Sequence, residues 1–390
     1  MSFVVVDALD SARAVVQRLH AAGEPVVALW TPACHDNAAR QELAASCPGL
    51  VQHDWSRAAE HELLNRLGDR VALADSYPGL RWVTRWNDRV LARKGRDAAV
   101  GAERWLDKLV FDLLLRQRLP QLALGVEPLP RRGPLPAGHL VRKRVSRGDG
   151  SACWPEVLAE QPDFQRESYC SHPFQPGQSF FCNGVHFADG IAVTDTWRCL
   201  DKAFGVRHLL CGVSPLLPAS ADHAQIVEAV AQAADALALP PGPFHAEGVL
   251  CAGAGIRLLK LLPKLGGFPL PALCARMGCA DQPTVTAQGW LSNFAARPVL
   301  AQPTRFASDF SFPIGRDGRV QALNGIEQLE DMPSFSQYLH RCRPGDLVSA
   351  TVDELARPIV MLLEHDDPMQ LERDVESCVR RLEQGIYVLE

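Results

Sequence analysis

The 390-residue sequence contains 12 cysteines but no CxxC pair. The cysteines are scattered from Cys34 to Cys378, and the closest two, Cys274 and Cys279, have no matching His/Cys pair nearby. That spacing argues against a structural zinc site and reads as reduced thiols packed like small apolar groups. No apolar run approaches the roughly 18–20 residues that cross a bilayer, so no membrane partner is expected. Basic residues are not in excess: 40 Lys and Arg stand against 45 Asp and Glu, a net charge of −5, which speaks against nucleic acid as a partner. No basic segment precedes the first apolar run, Phe3 to Asp7, which reads as a strand rather than a signal peptide, and a cytoplasmic location is the expectation. No glycine-rich fingerprint follows that strand, which argues against a dinucleotide site there. Internal repeats and low-complexity segments are also missing.

What is present fits a multidomain α/β protein. Apolar and helical patterns alternate over Phe3 to Asp7, Ser11 to Ala22, Pro25 to Trp30, Ala38 to Ser46, Ala58 to Leu67 and Val71 to Ala74. This alternation predicts a small open α/β domain over residues 1–100. Ala102 to Arg118 carries one amphipathic helix pattern, and 120–138, with five prolines and three glycines, reads as a connector. His139 to Val145 reads as a strand. Phe180 to Val185 and Ile191 to Asp195 read as two more around an Asp189-Gly190 turn, making 139–200 a small β-rich module. Asp222 to Ala238 reads as a helix capped by Asp222. Ala246 to Cys251 and Ile256 to Leu262 read as adjacent strands, Pro271 to Met277 as a short helix, Gly315 to Gly318 as a tight hairpin, and Pro368 to Leu382 as a final helix. The boundaries expected are 1–100, 101–138, 139–205, 206–330 and 331–390.

Several residues are candidates for chemistry. Lys108 follows Asp107 on the helix pattern, and Lys143 sits on a strand among Arg142, Arg144 and Arg147. Taken alone, each lysine also reads as an ordinary solvated residue. Two lysines from two layers are what phosphoryl transfer requires, because the protein's part is positioning and charge stabilisation. The turn Ser146-Arg147-Gly148-Asp149-Gly150-Ser151 offers backbone N–H groups to phosphate, although a plain hairpin explains it too. Glu247 lies in an apolar strand close after His245, where a carboxylate is costly unless paired or metal-bound.

In chain order these pieces resemble the ATP-grasp superfamily, and within it the carboxylate–amine (L-amino-acid, dipeptide) ligases. The resemblance rests most on Val193-Thr194-Asp195-Thr196-Trp197 and on Gly242-Pro243-Phe244-His245-Ala246-Glu247. Gly177-Gln178-Ser179-Phe180 and the tail segments Asn324-Gly325-Ile326-Glu327, Met332-Pro333-Ser334 and Pro344-Gly345-Asp346 support it across nearly the whole chain. It implies an α/β (α+β) ATP-grasp fold: an N-terminal open α/β domain, a small mobile β-rich lid and a C-terminal mixed-sheet catalytic domain. It also implies ATP and Mg2+ as cofactors and amino-acid-like small molecules as substrates. The reaction would activate a carboxylate as an acyl phosphate and join it to an amine, as a peptide, amide or lactam, in specialised metabolism. Lys108, Lys143, Arg147, Gly148, Gly150 and Ser151 would hold the nucleotide and Glu247 the metal. Trp197, Arg198, His245 and Arg276 are weak substrate-side candidates, and homodimer formation stays open.

One stretch departs from the resemblance. Aligned on Pro263-Lys264-Leu265-Gly266-Gly267, Lys260 stands where the family has a second metal carboxylate, Leu262 where it has an Asn ligand, and Lys264 where it has an arginine. An ammonium cannot ligate magnesium, and lysine lacks the bidentate geometry of arginine. Lys264 and Lys260 are therefore the catalytic candidates, Lys264 to stabilise the acyl-phosphate oxygens and Lys260 to replace the lost second cation with its own charge. If Lys260 replaces the carboxylate, its ammonium is expected beside Glu247. The alternative is a catalytically degenerate ATP-grasp protein that binds a nucleotide or a partner protein.

Overall fold

A computed structural model describes residues 3–32, 34, 37–56, 72–74, 76–93, 103–130, 137–145, 152–153, 165–204, 207–267, 269–351 and 357–390. The helix expected over Ala58 to Leu67 and the turn Ser146 to Ser151 lie outside them.

The N-terminal strands Phe3–Val6, Val26–Trp30, Val51–Asp54 and Leu73–Ala74 form one parallel sheet, with Phe3–Val6 between Val26–Trp30 and Leu73–Ala74. The two central strands are buried along their whole length, because both faces are covered. On one face Phe3, Val5, Ala28 and Trp30 pack with Val15 and Leu19 of the helix Asp10–Ala21 and with Trp290 of the helix Gln282–Leu291. On the other, Val4, Val6 and Leu29 pack with Leu80 and Trp86 of the helix Tyr77–Arg93 and with Leu106 and Leu262. Both faces thus dock onto later parts of the chain. The helix Tyr77–Arg93 is not among the elements expected from the sequence. Its proline sits in the first turn, where no intrahelical N–H bond is lost.

Ala102 to Arg118 is not one helix. Asp107 is extended between Glu103–Leu106 and Lys108–Arg118, and its carboxylate accepts the Leu109 N–H at 3.0 Å. An aspartate that caps the second piece ends the first. Ser220, not Asp222, caps the helix Ala221–Ala236, accepting the His223 N–H.

The large sheet runs in the order Gly255–Leu262, Gly242–Cys251, Gly177–Phe187, Gly190–Phe204, Arg207–Pro215, Ala152–Cys153, His139–Lys143, Tyr169–Pro173, Glu127–Pro128. Its strand pairs are antiparallel, with one parallel bridge between Ala123 and Leu258. Gly190–Phe204 pairs with Arg207–Pro215, so the strands expected in a lid and those expected in a catalytic region share one sheet. The described residues of 139–200 do not pair with the N-terminal sheet.

Phe306–Phe312 branches from Arg207–Pro215 and pairs with Ile359–His365. Gly318–Leu323 instead pairs with Leu347–Val348 and Tyr387–Leu389. The expected hairpin over Gly315 to Gly318 is therefore a passage between two sheets. Leu371, Val375 and Cys378 of the last helix, Pro368–Gln384, close this end against Phe310, Phe312 and Met361. Eleven of the 12 cysteines, Cys153 aside, are free, and of these all but Cys279 are buried. Among the described residues no helix is long and apolar enough to cross a membrane.

Candidate active site

Four adjacent strands carry two rows of side chains on one face. Asp195, Asn183, His245 and Leu262 stand directly opposite one another, and two residues along each strand so do Trp197, Phe181, Glu247 and Lys260. Opposite residues, and those two apart, share a face of a pleated sheet, so the register itself brings Lys260 to Glu247.

The rows are joined by hydrogen bonds. Asp195 accepts from Trp197 Nε1 and Asn183 Nδ2 at 2.5 Å, and from Thr194 Oγ1 at 2.7 Å. His245 bridges Asn183 and Glu247: its Nδ1 is 2.7 Å from Asn183 Oδ1 and its Nε2 is 2.9 Å from Glu247 Oε1. Lys260 Nζ donates to the same Oε1 at 2.6 Å, the contact expected from the sequence.

The electrostatics follow from burial and these partners. Burial lowers the His245 pKa to about 4, against the pull of Glu247. Burial raises that of Asp195, and its three donors offset part of the rise. Burial also pushes the Glu247 carboxyl up, but Lys260 and His245 outweigh it and hold that group well below the usual carboxylate range.

Lys108 enters from the helix side. Its Nζ donates to the Lys143 carbonyl at 2.9 Å, and its backbone N–H donates to the Arg144 carbonyl at 3.1 Å. The Arg144 guanidinium binds Asp107 at 2.6 Å. These bonds stitch the end of the strand His139–Lys143 to the start of the helix. Burial, then the nearby Lys260 ammonium, lowers the Lys108 pKa to about 8. Arg142 donates from Nε to His172 Nε2 at 3.2 Å; burial and then the Arg142 charge lower the His172 pKa to about 3.

Lys264 lies just past the strand, and its Nζ donates to the Leu265 carbonyl at 2.5 Å. The segment is fixed from outside. Gly266 donates its N–H to Gln282 Oε1 at 2.7 Å and accepts from Ser11 Oγ at 2.7 Å. Gln282 Nε2 also donates to the carbonyls of Gly184 and Phe244, at 2.7 and 2.6 Å. A Cβ on Gly266 would lie 2.7 Å from Asn183 Oδ1, so this close approach requires glycine.

Lys108, Lys260, Lys264, His245 and Glu247 thus come together, and Lys143 meets them through its carbonyl. Arg147, Gly148, Gly150 and Ser151 lie outside the described residues. Three substrate-side candidates have other partners. Trp197 is fully enclosed and bonded to Asp195, Arg198 pairs with Glu372 at 2.9 Å, and Arg276 pairs with Glu364 at 2.8 Å. Asn183, Gln282 and Arg142 were not among the site candidates. Asn183 lies within the strand expected over Phe180 to Val185, but no local signal marks it or Gln282 as a site residue.

The magnesium that the resemblance implies does not fit this donor set in the family's way. Lys260 brings an ammonium onto Glu247, and Leu262 is fully buried in the cluster with Val6 and Leu106. Among the described residues no group of three or more His, Cys, Asp or Glu side chains is placed to hold a metal ion.

Neither a protein-family model nor a curated protein sequence matches the chain. Solved structures do. An L-amino acid ligase from Bacillus licheniformis superposes with a TM-score of 0.67 at 12% identity, covering 100% of this chain and 98% of that one. An N5-carboxyaminoimidazole ribonucleotide synthetase from Thermotoga maritima gives 0.61 at 13%, covering 100% and 99%. A carboxyaminoimidazole ribonucleotide synthase from Aspergillus clavatus complexed with ATP gives 0.63 at 14%, covering 98% of each chain. The chain has the ATP-grasp fold, with the N-terminal α/β domain, the β-rich region and the C-terminal part expected from its sequence.

Proposed function

We propose that this chain binds ATP where the strand His139–Lys143 meets the Gly242–Leu262 hairpin, and that it activates a carboxylate for attack by an amine. The observation that carries this reading is the gathering of Lys108, Lys260 and Lys264, each less than a tenth exposed, around Glu247 and His245. Fixed cations in a site of low exposure are what phosphoryl transfer asks of a protein. The shared fold of the L-amino acid ligase, and of a synthase solved with ATP, supports the same reaction class.

In this reading Lys108 and Arg142 hold the phosphates, while Lys260 and Lys264 face the transferred phosphoryl group. Glu247 is a positioning residue: with His245 and Asn183 behind it, it fixes the Lys260 ammonium. A carboxylate oxygen of an amino-acid-like substrate bonds to the γ-phosphorus as the bond to ADP breaks. An amine nitrogen then bonds to the acyl carbon, phosphate leaves, and the nitrogen's proton passes to solvent.

A second reading, a nucleotide- or partner-binding protein without turnover, has one observation in its favour. Leu262 turns an expected ligand position into core. ADP release with a panel of amino acids, with hydroxylamine present to trap an acyl phosphate as hydroxamate, separates the two. Carboxylate-dependent ADP and hydroxamate support the ligase. ATP binding with no ADP from any carboxylate supports the second reading.

A further inference from the structure

We propose that this site takes the phosphates of a free nucleoside triphosphate directly on its lysines, with the Lys260 ammonium standing where a divalent cation would otherwise sit. The inference rests on the nucleotide reading above and goes beyond it in saying which form of the nucleotide is bound.

The placement of three residues carries it. Lys260 and Leu262 are two apart on one strand, and Lys264 follows at the same spacing just past its end. Strand alternation puts Lys260 and Leu262 on the face that holds Glu247 and His245. Leu262 carries no donor atom and is sealed in the apolar cluster with Val6, Leu106 and Trp86. Lys260 Nζ lies 2.6 Å from Glu247 Oε1, on the oxygen that His245 also approaches. A divalent cation brought to that oxygen would meet the ammonium at short range, and like charges in a poorly solvated site repel strongly. The two residues are directly opposite in the sheet register, so the paired strands hold their side chains as neighbours on one face.

The charge arithmetic points the same way. Lys108, Lys260 and Lys264, less the ionised Glu247, together bring the net charge of one divalent cation. Magnesium binding removes negative charge from a nucleoside triphosphate, and with it part of the attraction to the lysines. Ammonium groups also bind phosphate as point charges with several donors, and need no open coordination position. The Lys260–Glu247 pair then positions one donor at a fixed place, much as a bound ion would, with no metal to load.

Isothermal titration calorimetry of the full chain tests this, with ATP in excess chelator and with ATP in excess magnesium. The expected result is saturable binding in chelator, at least as tight as with magnesium. A Lys260→Met/Glu247→Met variant removes the ion pair together and leaves no orphan carboxylate. It is expected to weaken chelator binding by ~10- to 100-fold, the effect of losing a charge-assisted contact to phosphate. Binding that appears only with magnesium overturns the metal-free site and leaves the nucleotide reading standing. No binding in either condition overturns the nucleotide reading itself. Should the double variant fail to fold, the wild-type comparison still decides.

Discussion

Two of the acid–cation pairs among the described residues behave in opposite ways. Glu247 and Lys260 stand directly opposite on paired strands, 2.6 Å apart, with His245 as a second partner on the same oxygen. Asp309 and Arg357 are 3.7 Å apart, and Asp309 is otherwise held by the Val213 N–H at 3.1 Å. Burial raises the Asp309 pKa to about 6, and Arg357 only partly offsets it. At Glu247 the partners overcome burial. Contact geometry decides which buried carboxylate stays charged: a short contact in register fixes an ionised group, and a long one leaves a carboxyl poised to take a proton. The first pair lies among the site lysines; the second lies on the strand that carries the C-terminal lobe.

The comparison is sharpest under mutation. Lys260→Met leaves Glu247 beside a methyl thioether, and breaking a buried pair from one side is expected to cost about 3–5 kcal/mol in denaturant unfolding. Arg357→Met is expected to cost clearly less, because Asp309 can neutralise itself. Equal losses would remove the distinction.

The pH dependence should run in opposite directions. Asp309 has a folded pKa above its ordinary value, so the folded state holds its proton more tightly. Its contribution to stability is present below pH 4 and lost as pH rises through about 6. Glu247 has a depressed folded pKa. Its contribution is present at neutral pH and lost as pH falls below the ordinary carboxylate range. Unfolding energies of Asp309→Asn and wild type, compared at pH 4 and pH 7, should therefore diverge by up to about 3 kcal/mol in favour of the variant at pH 7. No divergence would mean that Asp309 is already ionised at pH 4.

Gly266→Ala is expected to destabilise by about 1–3 kcal/mol, because its Cβ meets the Asn183 amide at 2.7 Å and forces a shift in a packed segment. A shift of the Asn183 side chain would also loosen His245. Crystals of the variant showing Asn183 unmoved would contradict that coupling.

Arg198→Ala should do least. Its partner Glu372 is 40% exposed at the side chain, and such pairs contribute under about 1 kcal/mol. ATP affinity is expected to be unchanged, which a calorimetric titration checks.

Much of this fold was legible because its signals are local. The apolar runs at Phe3 to Val6 and Val26 to Trp30, and the hairpin around Gly253 to Gly255, each declare themselves within a few residues. The Glu247–Lys260 contact was legible through the resemblance, which sets Lys260 in place of a second metal carboxylate. What local pattern concealed had long-range causes. Asn183 lies in a strand that the sequence does show, but its partners Asp195 and His245 stand 12 and 62 residues away. Gln282 binds backbone groups 16, 38 and 98 residues away, which no window contains. The break at Asp107 comes from the strand end at Arg144, whose guanidinium claims its carboxylate. The expected Gly315 to Gly318 hairpin fails because each flanking strand finds a better partner elsewhere.

The central claim is that the lysine cluster is a phosphate site, and Lys108 offers the most direct test. Its pKa is lowered to about 8, so its ammonium, and the phosphate contact it makes, should fade as pH rises above that value. ATP affinity measured by calorimetry from pH 7 to 9.5 is predicted to fall by about tenfold through that range, the worth of one charged contact. Lys108→Met should bind weakly at pH 7 and show a flat profile. Affinity that is equal in Lys108→Met and wild type, or that falls with pH identically in both, would contradict the account.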